Sequence, residues 1–314
     1  MTEMKAVRIH DFGGLDSLVI DAIPVPEPRE GEVQVAVHAA SVNPVDWQLT
    51  YGINQDFMNR VLPTILGFDV AGVVTTVGSG VADLAVGDRV YGHTDFRLDG
   101  AFAEYICCAR DRLVPMPGNL SFSDAAAVPV AALAAWTGFF GAEAVNLQSD
   151  QTVLITAAAG GVGTFAVQFA KWAGARVVAT ASADNHAFLT ELGADQVIDY
   201  KTGNLADALP ELDAVLDAVG GDTQIQALQR IRTGGVLASL VGEQWGDSNS
   251  APQVRKFVVH GGYYPQALAE ITPLLESGSV KPVVSGLYPL EKARDALALN
   301  KTGHVRGKLV IQVR

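Results

Sequence analysis

Hydrophobic and polar positions follow two different patterns in the two parts of the chain. Up to about residue 120, short alternating or β-branched runs are separated by turn residues and predict strands at 5–9, 19–23, 33–39, 70–77, 89–91 and 101–107. Short strands with irregular spacing and few helical patterns are typical of a small barrel. We therefore expect a compact, partly open β-barrel in this part of the chain.

After residue 120, strand and helix patterns alternate. Apolar strands are predicted at 152–156, 176–180, 196–198, 214–217 and 236–240, with helices at 163–173, 185–192 and 223–231. Uniformly apolar strands between helices indicate a parallel sheet covered on both faces, as in a doubly wound nucleotide-binding domain. Further elements are expected at 255–259, 264–276, 291–299 and 308–313, and the pattern leaves the place of the last strand open.

Two stretches without charge are long enough to span a membrane. They hold 18 residues between Asp124 and Glu143 and 20 residues between Asp150 and Lys171. Pro129 interrupts the first stretch, and a glycine cluster divides the second, so packed elements joined by turns are expected instead of spanning helices. Residues 1–11 contain no signal-peptide core. We expect a cytoplasmic protein without a membrane partner.

Charge excludes one class of partner. The chain has 22 Lys and Arg against 34 Asp and Glu, a net charge of -12, and such a field repels polyanions. Nucleic-acid binding is therefore not expected. Glycine is abundant at 32 of 314 residues, about 10% against a usual value of about 7%. Part of this excess lies in one motif.

The motif is a glycine-rich turn between the strand at 152–156 and the following helix. Ala157, Gly160 and Gly163 are spaced like the last small residues of a dinucleotide fingerprint. In that fingerprint one glycine lets the backbone approach a pyrophosphate and the last one lets the helix pack on the strand, while the helix N-terminus binds the anion. We assign cofactor binding to Ala158, Ala159, Gly160, Gly161, Val162 and Gly163; a tight turn without a ligand is the alternative.

The end of the next predicted strand bears on the choice of cofactor. Thr180 lies twenty residues beyond Gly160, where NAD-binding domains commonly have an acidic residue for the ribose hydroxyls. Thr180 and Ser182 can donate hydrogen bonds to a 2′-phosphate, with Asn185 in the following turn. The sequence therefore favours NADPH over NAD(H).

The same segment is poor in positive charge. No Lys or Arg lies between Arg176 and Lys201, and Asp184 is close to the predicted phosphate site. A basic residue distant in sequence would have to complete that site. Helix N-capping is an alternative role for Ser182 and Asp184.

Several motifs together resemble a known family. They are AAAGGVG at 157–163, LGADQVIDY at 192–200, SVNPVDWQLTYG at 41–52, LPTILGFDVAGVVTTVGSGV at 62–81, VGDRVYG at 86–92, GAFAEY at 100–105 and GHVRGKLVIQV at 303–313. The chain resembles the medium-chain dehydrogenase/reductase superfamily, in its zinc-free quinone oxidoreductase (zeta-crystallin-like) branch. The resemblance implies a GroES-like substrate domain at 1–120 plus 286–314 and a Rossmann NAD(P)-binding domain at 121–285.

The resemblance also raises the question of zinc. Zinc-dependent members have a Cys ligand near the position of Val42 and Asn43 and a Gly-His-Glu motif where this chain has Gly67-Phe68-Asp69. A structural zinc lobe needs four cysteines, and this chain has only Cys107 and Cys108. We expect an enzyme without zinc.

Without a metal, hydride transfer suits an acceptor that delocalises charge, such as a quinone or an α,β-unsaturated carbonyl compound. The family's Asn-Pro-x-Asp segment implies that Asn43, Asp46 and Tyr51 lie beside the nicotinamide and acceptor, with Tyr51 as a donor to the oxyanion. Turn formation, helix capping and ordinary packing are their alternative roles. An enoyl-thioester reductase, a biosynthetic dehydrogenase and a non-catalytic NADPH-binding sensor or structural protein remain alternative functions.

Other site residues follow from the resemblance or from their positions. The resemblance implies nicotinamide contacts at Val241 and Gly242 and a reach to cofactor or substrate for Lys308, and we add Val219 and Thr137 to the cofactor site, although Thr137 could simply pack in its helix. Four aromatic residues in loops or at element ends are candidates for the substrate pocket, namely Trp47, Phe57, Trp245 and Tyr263. The apolar strand at 255–259 lies where relatives pair about a two-fold axis, so a homodimer is expected.

Overall fold

The structure is a computed structural model that describes residues 2–246, 251–259 and 265–314. The strands are β1 (Glu3–Ile9), β2 (Leu18–Pro24), β3 (Glu32–Ser41), β4 (Thr64–Ile65), β5 (Asp69–Val77), β6 (Arg89–His93), β7 (Tyr105–Ala109), β8 (Leu113–Pro115), β9 (Thr152–Ile155), β10 (Arg176–Ala181), β11 (Gln196–Asp199), β12 (Leu212–Asp217), β13 (Ile231–Ser239), β14 (Arg255–Val258), β15 (Val284–Pro289) and β16 (Lys308–Gln312). The helices are α1 (Pro44–Thr50), α2 (Gln55–Met58), α3 (Phe122–Ala126), α4 (Pro129–Phe140), α5 (Gly161–Trp172), α6 (His186–Leu192), α7 (Leu205–Ala208), α8 (Gly221–Leu228), α9 (Pro265–Glu276) and α10 (Ala293–Lys301).

The chain divides into two compact units. The first unit comprises Met1–Val130, Tyr263–Glu276 and Pro282–Arg314, and the second comprises Ala131–Gly262 and Ser277–Lys281. Both ends of the chain therefore belong to the first unit.

The first unit is a β-rich, GroES-like fold. Its larger sheet has the order β15-β16-β3-β5-β6-β8, with β7 also paired to β3, and a smaller sheet has the order β2-β1-β4. The last strand, whose place the pattern left open, pairs antiparallel with β3 and parallel with β15. The core between these elements includes Val35, Val37, Phe68, Phe102 and Leu309.

Part of the strand prediction in the first unit is wrong. The predicted strand at 101–107 begins only at Tyr105. Before Tyr105, the N–H groups of Ala101 and Phe102 bond to the carbonyls of Gly67 and Leu66, each at 2.8 Å. Gly67 and Leu66 are loop residues and belong to no strand. Tertiary hydrogen bonds thus override the alternating pattern there. The pattern also does not predict the short strands β4, β8 and β15.

The second unit is a Rossmann-like parallel sheet. Its strands have the order β11-β10-β9-β12-β13-β14, and all neighbours are parallel. This is the order 3-2-1-4-5-6 of doubly wound dinucleotide-binding sheets, in which the strand order reverses between the first and fourth strands. The crevice at the carboxyl ends of β9 and β12 is therefore the expected ligand position. The helix predicted at 223–231 ends at Leu228, because Ile231 is already a buried residue of β13.

Neither uncharged stretch forms one long helix. The first contains α4, of 12 residues, and the second divides into β9 and α5 at the glycine-rich turn. Among the described residues, no helix combines the length and the apolar character that crossing a membrane requires.

The two cysteines are adjacent on β7. Cys108 is buried and Cys107 is partly buried, and both thiols are free. Burial raises the pKa of each thiol to about 12. Both residues therefore remain protonated thiols near neutral pH.

Close packing between β3 and β5 gives a test of the first unit. A Cβ at Gly72 would lie 2.1 Å from the carbonyl oxygen of Ala36, whereas one at the exposed Gly118 would meet no atom within 4 Å. We expect Gly72→Ala to lower the free energy of unfolding by about 1–3 kcal/mol, because β3 and β5 must separate. Gly118→Ala should change it by less than about 0.5 kcal/mol. Urea denaturation measures both, and equal stabilities of the two variants would contradict the packing.

Candidate active site

A buried ammonium group lies inside the first unit. Lys308, the first residue of β16, is 4% exposed. Its Nζ atom lies 2.9 Å from the carbonyl oxygen of Val42, 2.5 Å from Oδ1 of Asn43 and 3.5 Å from Oδ2 of Asp69. We call Ser41, Asn43, Asp69 and Lys308 the Lys308 cluster. Burial lowers the pKa of the ammonium, and the facing carboxylates of Asp69 and Asp46 oppose that shift.

Asp69 holds the other side of this cluster. Its Oδ2 accepts hydrogen bonds from Ser41 Oγ at 2.5 Å and from Asn43 Nδ2 at 2.7 Å. Its Oδ1 accepts the N–H of Val130 at 2.7 Å, in the first turn of α4, where a helix favours an anion. The fully buried carboxylate is thereby compensated by an ammonium and three further donors.

Asp46 fixes the loop that leads into α1. Its Oδ2 accepts the N–H of Asn43 at 2.7 Å and its Oδ1 accepts the N–H of Gly67 at 3.0 Å. The side chain is fully buried, and this burial outweighs the two backbone donors and raises the pKa of the carboxyl to about 7. The structure therefore places the Asn43 side chain within the Lys308 cluster, while the Asp46 side chain beside it holds the backbone of Asn43 and Gly67.

Tyr51 lies apart from that cluster, at the end of α1, and is 44% exposed. Its Oη lies 2.6 Å from Nζ of Lys301, whose ammonium is also 4.1 Å from the centre of the phenol ring. The backbone of Gly14 covers the ring closely, since a Cβ there would be 2.7 Å from a ring carbon. Tyr51 is thus held in place while its edge remains open to solvent.

The four predicted pocket aromatics have different surroundings. Trp47 packs edge-on to Tyr51, with ring centres 6.4 Å apart, and Lys301 lies 5.7 Å from its ring. Phe57 is 56% exposed on α2, with the guanidinium of Arg97 over its ring. Trp245 is buried in the core of the second unit. Tyr263 lies outside the described residues.

In the second unit, the glycine-rich turn has the geometry that a dinucleotide site needs. A Cβ at Gly163 would lie 2.5 Å from the carbonyl oxygen of Ala157 and from Cα of Ala158, so only glycine allows α5 to approach β9 so closely. A Cβ at Gly160 would meet a single atom of the described residues within 4 Å, the oxygen of Ala157 at 3.3 Å. The backbone beside Gly160 is therefore open to a ligand, at the N-terminus of a 12-residue helix.

A buried network holds the neighbouring loop at the carboxyl end of β12. Asp217 is fully buried; its Oδ1 accepts from Thr156 Oγ1 at 2.7 Å, and its Oδ2 accepts from the N–H of Gly220 at 2.9 Å and from Gln224 Nε2 at 2.8 Å. These contacts join the ends of β9 and β12 to the start of α8. They fix the backbone on both sides of Val219, which is 48% exposed.

The same network extends to the loop after β13. Gln224 Nε2 donates to Ser239 Oγ at 3.0 Å, and Ser239 Oγ in turn donates to the carbonyl of Gly242 at 2.8 Å and accepts the N–H of Val241 at 3.2 Å. The two loops predicted to meet the nicotinamide are therefore positioned by shared buried side chains. Sequence reasoning missed Asp217, Gln224 and Ser239; their signal is a polar residue at the carboxyl end of an apolar strand or one helical turn beyond it.

The residues predicted to meet a 2′-phosphate lie after β10. Thr180 is 2% exposed within the strand, and its carbonyl accepts the N–H of Ala158 at 3.1 Å. Ser182 is partly exposed, and its Oγ accepts from Nδ2 of Asn185 at 3.2 Å. In this described segment Ser182 makes no capping hydrogen bond with its side chain. Thr137, on α4, is half-buried.

Comparisons with known proteins agree with this two-part organisation. Residues 29–118 match the alcohol dehydrogenase GroES-like domain family, and residues 192–311 match the zinc-binding dehydrogenase family. Among the described residues, no group of three His, Cys, Asp or Glu is arranged to hold a metal ion.

Similar proteins cover nearly the whole chain. A 2-methylene-furan-3-one reductase of Solanum lycopersicum is 36% identical over 99% of this chain and 79% of its own length. The chloroplastic NADPH-dependent alkenal/one oxidoreductase of Arabidopsis thaliana is 36% identical over 98% of this chain and 79% of its own length. The solved quinone oxidoreductase of Coxiella burnetii is 36% identical, with a TM-score of 0.91 over 99% of this chain and all of that chain.

The Lys308 cluster predicts a large loss of stability for Lys308→Met. This variant leaves the Asp69 carboxylate buried without its cation, so we expect the free energy of unfolding to fall by about 3–5 kcal/mol. Lys292→Met removes an exposed ion pair with Asp295 and should cost less than about 1 kcal/mol. Adding Asp69→Asn to Lys308→Met should restore part of the loss. Denaturant unfolding that gives the two lysine variants equal stability would refute the prediction.

The raised pKa of Asp46 predicts a pH-dependent stability. The folded protein keeps this proton up to about pH 7, whereas an unfolded Asp loses it near pH 4. The unfolded chain therefore binds fewer protons in between, so this group lowers the unfolding free energy as the pH rises from about 4 to about 7. Nearby charges on Asp69, Lys308 and Arg60 act on the same site.

Asp46→Asn removes this titration, so its stability relative to the wild type should improve steadily as the pH rises through that window. Denaturant unfolding at several pH values measures the difference. The exposed Asp56→Asn serves as the control and should run parallel to the wild type. Parallel curves for Asp46→Asn as well would contradict the prediction.

Proposed function

Because this chain belongs to the medium-chain dehydrogenase/reductase superfamily, in its quinone oxidoreductase branch, we propose that it is an NADPH-dependent, zinc-independent oxidoreductase that reduces quinones or α,β-unsaturated carbonyl compounds. The observation that carries the proposal is the open, glycine-lined N-terminus of α5 at the carboxyl edge of the parallel sheet. Relatives named for furanone, alkenal and quinone substrates match over nearly the whole chain.

The second unit carries the residues proposed to hold the cofactor. The backbone of the turn and the N-terminus of α5 bind the pyrophosphate, and the loops held by Asp217 and Ser239 present backbone groups to the nicotinamide carboxamide. NADPH supplies the hydride from its nicotinamide ring. The full proposed set is Thr137, Ala158, Ala159, Gly160, Gly161, Val162, Gly163, Thr180, Ser182, Asn185, Val219, Val241 and Gly242.

Tyr51 is the proposed donor to the acceptor's carbonyl oxygen. The ammonium of Lys301 has only hydrogen-bond donors, so in their 2.6 Å contact the phenol oxygen accepts. The hydroxyl hydrogen of Tyr51 then points elsewhere and is available to a substrate oxygen that gains negative charge during hydride transfer. Asn43 and Asp46 hold the loop and helix from which Tyr51 is presented. Trp47 lies on α1 and Phe57 on α2, and both supply apolar surface.

We propose an enzyme without zinc because of the polar groups that are present at this site. Zinc favours thiolate, imidazole and carboxylate ligands, whereas Asn43 is an amide and Asp69 already faces an ammonium. Lys308 places a positive charge among these atoms, and that charge would repel a metal ion. Because its ammonium is buried, we propose that Lys308 acts within this cluster and not in direct contact with the cofactor.

We further propose a substrate domain at 1–120 plus 286–314 and a cofactor domain at 121–285. We also propose that the protein is cytoplasmic and forms a homodimer paired through β14, which is the edge strand of the six-stranded sheet. An unpaired strand edge readily accepts another strand. A monomeric mass in light scattering would exclude the dimer.

The function is tested by following NADPH absorbance with a quinone, an alkenal, a cyclic enone and a saturated ketone. We expect turnover of the first three only, and no effect of a chelator. Tyr51→Phe should lower kcat on the enone by about tenfold to a hundredfold with little change in KM, because the lost hydrogen bond acts on the transition state. Full inactivation by a chelator, or tight NADPH binding without any turnover, would overturn the proposal.

A further inference from the structure

A 2′-phosphate needs a positive charge, and the loop after β10 does not provide one. The segment between Arg176 and Lys201 contains no Lys or Arg, and Asp184 is exposed within it. A phosphate is bound most strongly by charge-assisted hydrogen bonds from Arg or Lys. A protein with a net charge of -12 offers no favourable background field for such an anion. If NADPH binds here, the cation must come from another element.

The parallel sheet restricts which element can supply it. Ligands of such sheets bind at the carboxyl edge of the strands. Arg176 and Arg255 open β10 and β14, and Arg232 is the second residue of β13, so all three enter the sheet from its amino edge. Lys171, at the end of α5, bonds to Asp195 at 3.0 Å. In the described part of the second unit, Lys201 alone among the Lys and Arg residues lies within two residues beyond the carboxyl end of a strand.

The strand register places Lys201 beside the loop in question. β10 and β11 are parallel neighbours, and Ala181 is paired with Asp199. Ser182 and Tyr200 therefore leave the sheet side by side, on strands about 4.8 Å apart. Lys201 is one residue further along, and the four-carbon chain of a lysine lets its ammonium reach across such a spacing.

The turn around Lys201 is built by its neighbours. The N–H of Lys201 donates to Oδ1 of Asp199 at 2.9 Å, and Thr202 Oγ1 donates to the carbonyl of Asp199 at 3.0 Å. The side chain of Lys201 is exposed and, among the described residues, makes no ion pair; its ammonium is 5.8 Å from the ring centre of Tyr200. The backbone is thus fixed while the charge remains available.

Ser182 complements this charge. Its oxygen accepts a hydrogen bond from Asn185, so its own hydroxyl hydrogen is left to donate. A hydroxyl donor thus follows β10 and an ammonium follows β11, at the carboxyl ends of two adjacent parallel strands. We propose that Lys201, from the turn after β11, binds the 2′-phosphate of NADPH together with Ser182 and sets the preference for NADPH over NADH. This inference rests on the proposed function only in taking NADPH as the cofactor.

Direct binding of nucleotide fragments tests it without turnover. Calorimetry on the full chain compares adenosine 2′,5′-bisphosphate with adenosine 5′-monophosphate, which lacks the 2′-phosphate. Lys201→Met should weaken the bisphosphate by about tenfold or more, as expected for a lost charge-assisted hydrogen bond, and leave the monophosphate within about twofold. Lys201→Arg should retain most of the affinity.

Lys281→Met is the matched control, since Lys281 is exposed in the same unit and its removal changes the net charge equally. It should alter neither affinity. In steady-state kinetics, Lys201→Met should raise KM for NADPH with kcat and the NADH parameters unchanged.

The outcomes separate this inference from the proposed function. Equal losses for both nucleotides, or a Lys201→Met variant that behaves like Lys281→Met, would overturn the role of Lys201 while the proposed reaction stands. If the wild-type protein binds the bisphosphate and the monophosphate equally, the role of Lys201 and the proposed NADPH dependence are both overturned. Selective loss of the bisphosphate with no turnover of any acceptor would support Lys201 and refute the reaction.

Discussion

The burial of one ammonium ion constrains the arrangement of the first unit. Lys308 begins the last strand, and its charge is compensated by oxygens that precede α1 and begin β5. A buried charge without a partner strongly destabilises a folded protein. None of these elements can therefore shift far without leaving a buried charge unpaired or exposing it to water. Asp69 extends the same constraint to the first turn of α4 through the N–H of Val130. The segment that carries Asn43 and Asp46 is therefore fixed by electrostatics as well as by packing.

The second unit uses a buried carboxylate for a related purpose. Among the described residues no cation pairs with Asp217; hydroxyl, amide and backbone N–H groups satisfy it instead. Hydrogen bonds of this kind are directional, so they set the course of the loops that follow β12 and β13. The glycine-rich turn depends on packing instead, since the missing side chain of Gly163 lets α5 approach β9 closely.

These differences explain what the sequence could predict. The turn at 157–163 is a local motif, and both its fold and the roles of its glycines can be derived from residues that are adjacent in the chain. Apolar strands between helices likewise predict the parallel sheet. In contrast, Asp69 and Lys308 are 239 residues apart, and their contact depends on the pairing of β16 with β3, which no local pattern reveals. The position of Lys201 beside Ser182 depends in the same way on strand register. Ala101 and Phe102 illustrate a false positive. Their alternating pattern predicts a strand, but their N–H groups bond to the carbonyls of loop residues.

The raised pKa values of the adjacent thiols on β7 matter for an enzyme that acts on the proposed substrates. Quinones and enones are electrophiles to which thiolates add, because the thiolate is the reactive form of cysteine. With pKa values raised to about 12, Cys107 and Cys108 are ionised to only roughly one part in 10⁵ at pH 7. They are the only cysteines of the chain. A catalyst built in this way exposes no reactive sulfur to its own substrates, so chemical self-inactivation at cysteine is suppressed by the packing of a single strand.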